Sequence, residues 1–148
     1  MFVDALLTMS DAQALTATAV SANTIDLGNP TVKRDIGVGE PVVAVVTADV
    51  ALGGTTPTIA CEFIQSANAD LSSPDVLATS GTISGAAAFP AGKQIEVPIP
   101  AGRITKRYVG MRYTMGGTSP TATVTAVLQP ASMTSQPVPT NYAKGYSI

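Results

Sequence analysis

Histidine and tryptophan are missing from this 148-residue chain, cysteine occurs once, and charged side chains make up only 12% of it. Each shortage removes a class of chemistry. Without histidine there is no Ser-His-Asp or Cys-His nucleophile pair, and the imidazole ligands of common zinc sites are absent. With Cys61 alone, no intramolecular disulfide or thiolate cage can form. That excludes the small disulfide scaffolds of secreted proteins and fits synthesis in a reducing cytosol. No apolar run approaches the ~20 residues that span a bilayer, and the N-terminus carries Asp4 rather than a basic signal-peptide region. A soluble protein with no membrane partner is expected.

The charged share is about half the usual one, while 45% of the residues are hydrophobic. Such a chain is too apolar to be disordered and has little charge with which to solvate its surface. Part of that surface is expected to be covered by another molecule. The charge is also uneven, with nine acids and two bases in residues 1–75 against one acid and six bases in residues 76–148. In a β-domain the two halves interleave, so cross-strand pairing is the plain reading; a bipolar surface suited to self-association is the functional one. Arg103, Lys106, Arg107 and Arg112 form only a small basic cluster in a chain of pI near 4.8, so nucleic acid is not an expected partner.

Periodicity points to strands. Residues 42–50, VVAVVTADV, lie between Pro41 and Gly53-Gly54 and are short and apolar, as in a strand buried on both faces. The preceding GVGEP, with Gly37 and Gly39 free to take positive φ and Pro41 fixed near -65°, reads as the reversal that delivers it. In TIACEFIQ, Ile59, Cys61 and Phe63 share one face, which places Cys61 in the core. In KQIEVPIP, Ile95, Val97 and Ile99 share a face, and Pro98 removes a ladder donor, so this strand belongs at an edge or bulge, within reach of a partner. RYVGMRYTM aligns Val109, Met111, Tyr113 and Met115; TATVTAVLQ aligns Ala122, Val124, Ala126 and Leu128 after a turn at Gly116, Gly117 and Pro120. With NTIDLGNP and VLATSGTI as weaker strands, the pattern predicts an all-β fold: an antiparallel jelly-roll or β-sandwich of about seven to eight short strands. The expected layout is a single domain over 1–148, with an N-terminal arm at 1–15, a sandwich core at 16–130 and a C-terminal arm at 131–148. Within the first arm DALLTMSDAQAL has Ser10 and Gln13 at capping-box spacing, enough for a turn or two of helix.

Motifs that carry chemistry are few. Asp26, Asp35 and Glu40 sit near loops and would suit a glycosidase pair only if a cleft brought two of them about 5–10 Å apart; solvated turn acids are the ordinary alternative. The GVG at 37–39 is superficially similar to a phosphate loop but precedes a strand and lacks Gly-Lys-Ser/Thr. Asp70, Ser72, Ser73 and Asp75 offer oxygens without the spacing of a calcium loop and read as a turn. No cofactor or metal site is expected.

Four stretches taken together carry a resemblance along the whole chain: DALLTMSDAQALTATAVSANTIDLG, RDIGVGEP, RYVGMRYTMGG and NYAKGYSI. They resemble the small jelly-roll cement, or decoration, proteins of tailed bacteriophages, which bind the outside of the head and hold neighbouring major capsid proteins together. Val109 and Met111 depart conservatively from the leucine expected at those positions. The resemblance implies no enzymatic activity and no cofactor. Its partners would be the major capsid protein and a second copy of the chain, as a homodimer in preference to a trimer. The implied location is the outer surface of the virion, after synthesis in the bacterial cytoplasm. Phe2, Leu6, Leu7, Pro98, Tyr142 and Tyr146 are the contact residues that the arms and the open edge suggest. The alternative is a receptor- or glycan-binding β-sandwich of a phage, which the 5% aromatic content and absence of Trp disfavour.

Overall fold

The computed structural model describes residues 5–28, 36 and 39–134. They build seven strands: β1 (Thr8–Leu15), β2 (Ala19–Val20), β3 (Ile25–Asp26), β4 (Val42–Ser66), β5 (Asp75–Ser84), β6 (Gln94–Pro98) and β7 (Tyr108–Pro130), followed by a 3-10 turn at Ala131–Met133. Every pairing is antiparallel. The sheet order is β1-β7-β4-β5, with β2 and β3 beside β7 and β6 beside β4. The alternation in the sequence thus leads to the all-β antiparallel fold that it predicts.

The spine is a ribbon of two long strands, and here the sequence reading needs correction. Residues 42–50 and 58–65, expected as separate strands, are parts of the 25-residue β4; the two expected late strands are likewise one 23-residue β7. Their glycine pairs bend the ribbon without ending it. Gly53-Gly54-Thr55-Thr56-Pro57-Thr58 in β4 crosses Gly116-Gly117-Thr118-Ser119-Pro120-Thr121 in β7, with Gly53 opposite Thr121 and Thr58 opposite Gly116. The contacts are reciprocal. A Cβ on Gly54 would lie 2.7 Å from the Ser119 carbonyl oxygen, and one on Gly117 would lie 2.5 Å from that of Thr56. Both glycines have positive φ, 114° and 98°, so neither position accepts another residue without strain. The two hexapeptides are related by a pseudo-two-fold axis through the corner.

Register shifts between Ala48 and Thr58 make this bend a run of bulges. A bulge adds one residue to one strand and so switches which positions face inward. Before the corner β4 buries Ala44, Val46 and Ala48; beyond it the buried positions are Ile59, Cys61 and Phe63. β7 switches in the same way, from Val109, Met111 and Tyr113 to Ala122, Val124, Ala126 and Leu128. The same face of the ribbon therefore stays inside through the bend, and the folded sheet closes on one core that also takes Met9, Leu15, Leu52, Phe89 and Val97. Fully burying each large apolar side chain contributes roughly 1.5–3 kcal/mol, so this cluster is the main source of stability. On the opposite face Val43, Val45 and Val127 form a second buried cluster with Ala131 against it. This is why VVAVVTADV lacks alternation.

The N-terminal segment departs from expectation. Residues 8–15, expected within an arm and with helical character, form β1 on the edge of β7. Ser10 and Gln13 do interact, but as side chains: Ser10 donates to Gln13 Oε1 at 2.7 Å across a bulged strand whose Ala12 has φ 43°. The Ser10 and Tyr113 hydroxyls are 2.8 Å apart, and Met9 and Leu15 are buried. Burial of two large apolar side chains and satisfaction of a buried phenol outweigh the propensity of a short isolated helix. The sheet's outer strands are blunted. β1 and β5 carry bulges, β5 has Gly81 at φ 76° and β6 ends in Pro98.

Candidate functional site

The expected contact residues fall into two groups. Phe2, Tyr142 and Tyr146 lie outside the described residues, as do Asp35 and Gly37. Leu6, Leu7 and Pro98 are placed, and the fold puts them at one end of the molecule. Leu128 N donates to the Leu7 carbonyl at 2.9 Å, and Pro98 is in register with Val43, itself opposite Gln129. Leu7, just before β1, and Pro98, at the end of β6, thus sit at about the same level on the two sides of the β1-β7-β4-β6 half. Three strand spacings separate them, about 14 Å. They do not form one cluster. Leu6 is 83% exposed, whereas Leu7 packs against the core. Pro98 is exposed at the edge that its missing N–H predicts.

At this end the structure adds Met133, 45% exposed beyond the last strand. The pattern reading missed it because one methionine after a strand has no periodicity to mark it. Gln129 Oε1 near this end, and Thr47 Oγ1 four residues along β4 from Val43, are buried without a hydrogen-bond partner. Both belong to the face of Val43 and Val45.

The polar side chains singled out for chemistry are engaged in the fold. Asp26 receives two hydrogen bonds of 2.7 Å from Arg107 and a third from Gly28 N. Glu40 accepts from Ser132. Asp70 closes its own turn by accepting from the Ser72 amide and hydroxyl, which hold its carboxyl below the usual range, and Asp75 pairs with Lys106. Glu62 accepts from Arg112 Nε at 2.7 Å and from Thr114 across the strands. Burial pushes the Glu62 carboxyl upward, but these donors and the guanidinium charge outweigh it and hold the group low. The charge asymmetry of the two halves is thus partly resolved as ion pairs between them: Glu62 meets Arg112 across the strands, while Asp26 and Asp75 meet Arg107 and Lys106 of the segment that leads into β7.

Cys61 is fully buried, and desolvation pushes its thiol up to about 12, which leaves negligible thiolate at neutral pH. Among the described residues no three of His, Cys, Asp and Glu come together as a metal cage. No helix there is long and apolar enough to cross a membrane. Phe63, Phe89 and Tyr113 are fully buried, and Tyr108 lies beneath the Arg107 guanidinium at 5.0 Å. The described aromatics therefore present no open stacking platform.

Fold and surface together define a β-sandwich-like scaffold whose described polar groups mostly serve its own structure. A family model, Bbp16, matches residues 9–128, from β1 to the end of the core register in β7, and the chain belongs to the Bbp16 family. Comparison with curated proteins finds no match.

Proposed function

We propose that the protein is a capsid cement protein that binds the outer surface of a bacteriophage head, bridges neighbouring major capsid subunits and associates with a second copy of itself. The observation that carries this reading is the four-stretch resemblance along the chain, from DALLTMSDAQAL to NYAKGYSI. Physical features agree with it. A sandwich whose outer strands are blunted by bulges and proline adds its copies one by one to a lattice instead of stacking edge to edge. Exposed Leu6 and Met133 at one end offer apolar area for burial against a neighbour. The glycan-binding alternative wants exposed aromatic rings, and the described rings are in the core or under Arg107.

The test is co-sedimentation of purified protein with undecorated heads, followed by measurement of DNA release on heating. A ligand that binds only the assembled shell stabilises it by mass action, so decorated heads should release DNA at a higher temperature. Leu6→Ser removes an exposed side chain and should leave the melting temperature of the free protein nearly unchanged while weakening decoration. Full-length protein that neither binds nor protects a matching head would refute the assignment.

A further inference from the structure

One buried face of the sheet has almost nothing among the described residues lying against it. Val43, Val45 and Val127 point away from the main core, yet they are only 7%, 2% and 1% exposed in the single chain. Thr8, opposite Val127, and Gln129, opposite Val43, are buried beside them. Of the described hydrophobic residues outside the cluster, only Ala131 packs on it. Two polar atoms of the same face, Gln129 Oε1 and Thr47 Oγ1, are buried with no hydrogen-bond partner. One alanine does not keep three valines and two polar neighbours from water.

Burial within a single chain calls for a cover from that chain, and the connections single out one segment. Residues 1–4 lead towards Leu7 and residues 29–35 towards Ile36, and both Leu7 and Ile36 pack on the main core, behind the sheet. Past Pro130 the chain instead turns onto this face. Ala131 N donates to the Pro41 carbonyl at 2.8 Å, Ser132 donates to Glu40, and Ala131 lies on the valines. Residues 135–148, SQPVPTNYAKGYSI, follow directly. Pro137 and Pro139 lack an N–H, which makes this segment a poor ladder strand and suits it to a face more than to an edge. Val138, Tyr142 and Tyr146 bring apolar area, and a tyrosine hydroxyl can donate to an unpaired acceptor such as Gln129 Oε1. Reach is ample: the level of Thr47 lies four residues, about 13 Å, from that of Gln129, whereas the eight residues from Thr134 to Tyr142 span up to roughly 26 Å.

We propose that residues 135–148 fold back over the outer face of β4 and β7 in their own subunit, with Val138, Tyr142 and Tyr146 against Val43, Val45 and Val127. A short tether holds the segment at millimolar effective concentration, so a modest contact is enough to keep it in place. The inference does not rest on the cement reading. It withdraws Tyr142 and Tyr146 from the residues free to touch a neighbour, and leaves Leu6 and Met133 as the exposed apolar side chains of that end.

Full-length protein carrying Ala143→Cys and a nitroxide label on that cysteine tests it by paramagnetic broadening. Cys61 is buried with its thiol pushed up to about 12, so a thiol-directed label reacts at residue 143 alone. In isotope-labelled protein the amide signals of Val43–Thr47 and Thr125–Gln129 should be lost while those of β5 survive. Weak broadening spread evenly over the surface would show a free tail and overturn the inference. Mixing nitroxide-bearing protein without isotope label into isotope-labelled wild type should leave the same signals intact; their loss in the mixture would put a second copy's tail on the face and overturn the assignment to the same subunit. Trypsin cleavage after Lys144 is an independent readout. Val45→Thr keeps shape and strand propensity and leaves the main core untouched, but sets a hydroxyl beneath the tail, so release of residues 145–148 should be about 5-fold faster at a temperature where both proteins are folded. Cleavage at the wild-type rate would mean that the tail does not lie on Val45, against the proposal.

Discussion

Leu71 lies at φ 57° with its side chain fully buried, in the loop between β4 and β5. A left-handed leucine costs roughly 1–2 kcal/mol, whereas burying its side chain contributes about 1.5–3 kcal/mol, so the balance favours the plug. Gly110 makes the plug possible. A Cβ there would lie 2.5 Å from Leu71 Cδ1 and 2.7 Å from Ser21 Oγ, the latter itself accepting from Met111 N. Gly110→Ala should therefore lower stability by about 1–3 kcal/mol in urea unfolding without changing the fold. Adding Leu71→Ala should cost less than the sum of the two changes, since the clash loses one partner. Strict additivity would show that the methyl is accommodated elsewhere.

Between strands, two cross-links invite measurement. Ser10 donates to Gln13, so the Tyr113 hydroxyl donates to Ser10, deep between β1 and β7. Ser10→Ala should destabilise by about 1–3 kcal/mol because it strands a buried phenol, and in Tyr113→Phe the same change should cost clearly less. Equal costs in both backgrounds would mean that the hydroxyls are independent. The Glu62–Arg112 pair acts through pH. Because the folded carboxyl is held below its ordinary 4.5, its stabilisation is complete above that value and is lost as pH falls through the lower folded-state value. Thermal unfolding between pH 6 and 3 should fall less steeply for Glu62→Gln than for wild type; parallel curves would assign the acid sensitivity to other carboxylates. These strands also show what was legible beforehand. Inward positions such as Ile59, Cys61, Phe63, Val109 and Met111 follow from period-two alternation, as does the edge place of Pro98. The joining of strands through Gly53-Gly54 and Gly116-Gly117 was not legible, because glycine pairs serve turns and bulged bends alike and only the partner strand decides between them. β1 was hidden for a related reason. Its commitment comes from Tyr113, 103 positions away from Ser10. Of the surface, the exposed Leu6 was foreseeable from its place near a terminus, but Met133 and the bent corner depend on tertiary geometry.

Over the whole molecule, the nearest pairing of β4 with β7 joins Ser66 to Tyr108 and the farthest joins Val42 to Pro130, so the spine is entirely non-local. Large loops must close before the ribbon gains anything, which places refolding in the slow range of all-β domains, milliseconds to seconds. Dilution from urea with intrinsic tyrosine fluorescence or far-UV circular dichroism as readout should show this; microsecond refolding would contradict a rate set by the ribbon. The same feature acts during synthesis. The ribosome delivers β4 well before β7, so an apolar 25-residue strand waits with only the lighter β5 and β6 beside it until the last third of the chain appears. Neither β4 face can be fully covered before then, and the nascent chain is exposed to association in the meantime. A truncation anywhere before β7 should consequently yield an aggregating fragment and not a smaller domain, which would tie the making of this protein to translation through β7.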